Sequence, residues 1–66
     1  MSRDVDAVLR YLAARGVTVG RRTALEIIAT AVEEVPESQD DLVIRVSDSN
    51  GASVEVSVSE IRRVAG

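Results

Sequence analysis

Apolar residues recur along this chain with two different periods, and the change between them divides it. Val5, Val8, Leu9 and Leu12 follow the i, i+3, i+4, i+7 spacing of one helical face. Ser2 is placed to cap that helix, with Asp4 in its first turn, where the helix dipole favours a negative charge. Gly16 is the expected stop, because glycine takes the left-handed conformation of a Schellman turn at little cost. That turn would set Val17 against Leu12. A second helical pattern begins near Thr23, where Thr23 and Glu26 have the spacing of a capping box; Gly20 is a looser alternative start. Leu25, Ile28, Ala29, Val32 and Val35 form its stripe, widened by Ala24, Ile27 and Ala31. Only a narrow polar strip is left, so this helix is expected to touch neighbours on two sides. Pro36 ends it, since the residue before proline avoids the helical region.

Beyond the polar stretch Glu37, Ser38, Gln39, Asp40 and Asp41 the period drops to two. Leu42, Ile44 and Val46 alternate with Val43, Arg45 and Ser47, and Val54, Val56 and Val58 with Ser53, Glu55 and Ser57. The two runs predict a β-hairpin across Asn50-Gly51. A two-residue turn would set Val46 opposite Glu55 and mix the faces, and a one-residue slip flips every side chain. A loop of Ser49, Asn50 and left-handed Gly51 instead pairs Val46 with Val54, Ile44 with Val56 and Leu42 with Val58. It also sets Arg45 across from Glu55 on the wet face. Val17, Thr18 and Val19 offer a short third strand beside the hairpin.

Ser57 and Glu60 then form another capping box, with Val56 and Ile61 as its hydrophobic staple. Ile61, Val64 and Ala65 should face the core, with Arg62 and Arg63 pointing outward. The prediction is an α+β fold of order ααββα. Two N-terminal helices pack on an antiparallel β-hairpin, and a short C-terminal helix follows. Residues 1–66 make a single small domain.

Composition narrows what such a fold can do. A chain of 66 residues buries only about 60% of the surface it exposes when unfolded. With Tyr11 its only aromatic residue, the core must come from Val, Ile, Leu and Ala. Self-association would add burial, and a homodimer is expected. No apolar run approaches the ~18 residues that span a membrane, and no signal-peptide core follows Met1, so a cytoplasmic protein with no membrane partner is expected.

The chain has no histidine and no cysteine, and so lacks the commonest general base, the strongest nucleophile and the usual zinc ligands. Gly16, Gly20 and Gly51 fit no phosphate-cradling pattern. Neither catalytic activity nor a cofactor is expected. Asp48-Ser49-Asn50-Gly51 fails as a calcium loop, because aligning its glycine puts Val46 and Ser57 where carboxylates are required. Glu33, Glu34, Glu37, Asp40 and Asp41 read as a solvated helix end, and no metal is expected.

Three functions remain. The leading one is a non-catalytic protein–protein interaction or self-associating module. Its interface would use the outer side of Ile27, Ala31 and Val35, or the edge strand at Val54 and Val56. The first alternative is a small DNA-binding regulator, because Arg15, Arg21 and Arg22 make a basic corner at a helix–helix joint. Against it, the net charge is −3, the joint is about two residues longer than a helix-turn-helix turn, and the second helix offers Glu26 and Glu33 where phosphates would lie. The second alternative is an inhibitor that presents the acidic 33–41 segment to a basic target.

Overall fold

The computed structural model describes residues 3–66, so the expected cap at Ser2 lies outside the described residues. The order is α1 (Val5–Ala14), α2 (Arg21–Ala29), a π-helical turn (Thr30–Glu34), a 3₁₀ turn (Glu37–Gln39), β1 (Val43–Ser47), β2 (Ser53–Ser57) and α3 (Val58–Ala65). This is the α+β arrangement ααββα. Val17, Thr18 and Val19 form no strand, and the sheet is the two-stranded antiparallel hairpin β1–β2.

Helix α1 is capped by Asp4, whose carboxylate accepts from the Ala7 N–H at 3.0 Å; Asp4 thus precedes the first turn rather than lying in it. Its far end is a complete Schellman turn. Gly16 is left-handed at φ 88°, the Val17 N–H donates to the Leu12 carbonyl, and the Gly16 N–H donates to that of Ala13. Val17 is buried beside Leu12 in the core.

Helix α2 departs from expectation at its start. Gly20 is the N-cap, without a side-chain hydrogen bond, and the Ala24 N–H donates to the Gly20 carbonyl. Thr23 is therefore inside the helix and forms no capping box with Glu26. The helix is also rotated from the expected phase. Ala24, Ile27, Ile28 and Ala31 are buried, whereas Leu25 is 46% exposed. Alanines at two of the four buried positions allow close approach by the α1 and α3 backbones, which both pack on this helix. Close packing along that face outweighs burial of one more leucine.

The hairpin has the expected register: Ile44 pairs with Val56, Arg45 with Glu55, and Val46 with Val54. Gly51 is left-handed at φ 87°. The third apolar pair does not form in the sheet. Val58 turns into α3 and is fully buried, while Leu42 is 45% exposed. On the outer face Val43 is 56% exposed.

Helix α3 packs against α1, α2, the π turn and β2, which makes it central rather than a lid. Each donor of its first turn is satisfied, as buried backbone groups must be. Val58 N–H donates to the Leu42 carbonyl, Ser59 N–H to that of Asp40, and Glu60 N–H to the Ser57 hydroxyl. At its other end the Ala65 carbonyl accepts the Asp4 N–H at 3.0 Å.

Candidate functional site

Proline shapes the most developed surface feature. Pro36 holds Val35 extended at φ −102°, ψ 122°, and the helix widens before it, with the Val35 N–H donating to the Thr30 carbonyl five residues back. In that wider register the Ala31 carbonyl would need the N–H of residue 36, and proline has none. The Arg62 side chain fills the gap. Its Nε donates to the Ala31 carbonyl at 2.7 Å, one Nη donates to the Val35 carbonyl, and the other forms an ion pair with Asp40. Arg62 was expected to point outward; its side chain is instead 17% exposed and ties α3 to the end of the second helical element. The reason is the orphaned carbonyl, a stronger claim on a guanidinium than solvent at the dipole end. Arg63 remains outward, near Glu60.

Around this joint lies a groove of about 350 Å³. Val32, Val35 and Pro36 supply its apolar lining, and Glu33, Glu34 and Glu37 its carboxylates. The Arg62 guanidinium forms part of the wall; its Nε and one Nη donate to the two carbonyls, while the other Nη is buried beside Asp40 as an ion pair without a hydrogen-bond partner. Among the described residues no group of three His, Cys, Asp or Glu side chains is placed to hold a metal ion.

The charges of the molecule mostly cancel in pairs. Arg3 meets Glu33 at 2.8 Å, Arg21 meets Asp6, Arg22 meets Glu26 at 3.9 Å, Arg62 meets Asp40, and Arg63 meets Glu60 at 3.6 Å. Asp4 and Asp48 are engaged by backbone N–H groups. Glu55 faces Arg45 across the hairpin. Glu55 forms no ion pair there, and Glu34, Glu37 and Asp41 likewise have no ion-pair partner among the described residues. Negative charge therefore accumulates along residues 34–41, of which Glu34 and Glu37 line the groove.

The basic corner is differently occupied. Arg21 bridges α2 to α1 through Asp6, Arg22 leans toward Glu26 along its own helix, and Arg15 lies over the Tyr11 ring at 4.3 Å from its centre. Arg21 thereby acquires a folding role. Exposed pairs of this kind hold weakly, about 0.2–1 kcal/mol each.

The residues named as an interface are not together on the surface. Ile27, Ala31 and Val56 are buried at 7%, 0% and 3% exposure, because α1 and α3 cover that side of α2 and the hairpin's inner face points into the core. Val35 and Val54 are half-buried, and Val35 lines the groove. Among the described residues the exposed large aliphatics are Leu25, Leu42 and Val43.

Asp48 is the other side chain with a demanding environment. Its carboxylate accepts from the backbone N–H groups of Thr18, Asn50 and Ala52, holding the hairpin loop closed and docking the α1–α2 connection on it. The Thr18 N–H, with those of Ala52 and Asn50, lowers its pKa below the ordinary carboxylate value, against some desolvation.

No protein-family model, curated protein or solved structure matches the chain. Among the described residues no helix is long and apolar enough to cross a membrane.

Proposed function

We propose that this chain is a non-catalytic protein interaction module that docks another protein in the groove at the end of its second helical element. The observation that supports this is the combination of Val32, Val35 and Pro36 with Glu34 and Glu37, which have no ion-pair partner among the described residues. An apolar centre with a polar rim is the usual anatomy of a binding patch. Homodimerisation belongs to the same reading, and would draw on Leu25, Leu42 and Val43 rather than on the buried Ile27, Ala31 and Val56. A cytoplasmic setting goes with it, since the chain carries no cysteine. The DNA-binding alternative loses support from the pairing of Arg21 and Arg22 with Asp6 and Glu26.

Two measurements test the proposal. Sedimentation velocity across the micromolar range reads self-association. Affinity capture from host lysate, with the parent and a Val32→Arg variant as baits, reads partner binding through the groove. The expected result is either a concentration-dependent dimer or a protein retained by the parent and lost with the variant. A monomer at every concentration, with identical proteins on both baits, overturns the reading.

A further inference from the structure

The groove has a chemical preference that narrows the kind of partner. Its apolar lining asks for an aliphatic side chain, because burying apolar surface is what drives docking there. At about 350 Å³ it lies near the lower end of the ~300–1,000 Å³ typical of ligand sites, suited to one or two side chains rather than a large molecule. Glu34, Glu37 and Asp41 lack cationic partners among the described residues. The C-terminal end of a helix adds partial negative charge of the same sign. Arg62 does not reverse this field, because its charge is offset by the ion pair with Asp40.

We infer that the groove receives a basic partner segment in which an aliphatic side chain, flanked by arginine or lysine, sits on Val32, Val35 and Pro36 while the flanking cations meet Glu34, Glu37 and Asp41. This rests on the interaction reading above and gives its partner a chemistry. The aliphatic anchor supplies retention, and the cations supply orientation and a faster encounter. A bare hydrated cation would leave the apolar lining unused, and an acidic segment would meet unrelieved repulsion.

The test uses the full chain, labelled for NMR, titrated with a capped hexapeptide of two leucines between pairs of arginines. The expected response is confined to residues 32–37, Asp41 and Arg62. Replacing the arginines by glutamates should abolish it. Replacing the leucines by glycines should weaken binding about tenfold, the loss that a partly buried pair of leucines carries. The triple variant Glu34→Gln, Glu37→Gln, Asp41→Asn changes exposed side chains only and should also weaken binding about tenfold, as three exposed charge pairs together account for. Salt near 0.5 M, where the Debye length is ~4 Å, should remove most of that difference. Scattered or absent shifts overturn the inference. So does equal binding of the acidic peptide, of the glycine peptide or by the triple variant. Shifts at the same residues that grow with protein concentration alone give the groove to a second copy, and overturn it too. Should the peptide fail while the Val32→Arg bait still loses a partner, the basic chemistry falls and the interaction reading stands.

Discussion

Asp48 ties the hairpin loop to the joint between the first two helices. Three backbone donors converge on it, one of them from the connection between the first two helices. Because its folded pKa is lowered, its ionised form adds stability that is fully present above the unfolded carboxylate value of about 4 and is lost as pH falls through the lower folded value. Asn in its place keeps an acceptor for Asn50 and Ala52 but loses the charge that holds Thr18. Urea unfolding of the parent and Asp48→Asn should therefore differ near neutral pH, with the parent more stable, and the gap should narrow toward ~pH 3. The sequence placed Asp48 in a turn but could not show this, because Thr18 lies thirty residues away.

Among the elements, α2 separates what local pattern decides from what packing decides. Its Thr23–Glu26 spacing reads as a cap, yet the helix begins two residues earlier, at Arg21, with Gly20 before it. Thr23→Ala should thus change stability by less than about 0.7 kcal/mol, the span of ordinary helix propensities, instead of the ~1 kcal/mol a lost cap costs. Gly20→Ser should raise stability by roughly 0.5–1 kcal/mol, through a capping hydroxyl and a less flexible unfolded chain; φ is −81° there and no atom crowds the new Cβ. Thermal melts of both variants check the pair. The phase of α2 was not legible because its apolar positions spread around most of the circumference, and the narrow polar strip left does not choose between the two apolar sides. Tertiary contact with α1 and α3 chose it. The hairpin register was legible, since two alternating strands and one left-handed glycine satisfy both faces in a single alignment. For α3, Arg62→Leu should cost on the order of 2 kcal/mol by leaving the Ala31 and Val35 carbonyls without a charged donor. In a chain this small, urea denaturation should show a large share of the total stability gone. Nothing near Arg62 in sequence announces this role. The signal is the proline at position 36, whose missing N–H leaves a carbonyl five residues back in need of a donor.

At the scale of the molecule, all three helices and the inner face of the hairpin contribute to one set of buried aliphatics, and no polar residue is buried among the described residues. The class of fold was therefore readable from periodicity alone. The candidate site was not, because it depends on where charges fail to find partners, and that requires every pair to be placed first. The hydrogen bond from Asp4 to the Ala65 carbonyl has a consequence of a different kind. It brings residues 4 and 65 side by side, so the backbone path is nearly a closed ring. A short linker across that gap would make the molecule a candidate for circular permutation, with new ends opened in the exposed Ser49–Gly51 loop. By the same adjacency, segments joined at residues 4 and 65 would emerge as neighbours rather than at opposite poles.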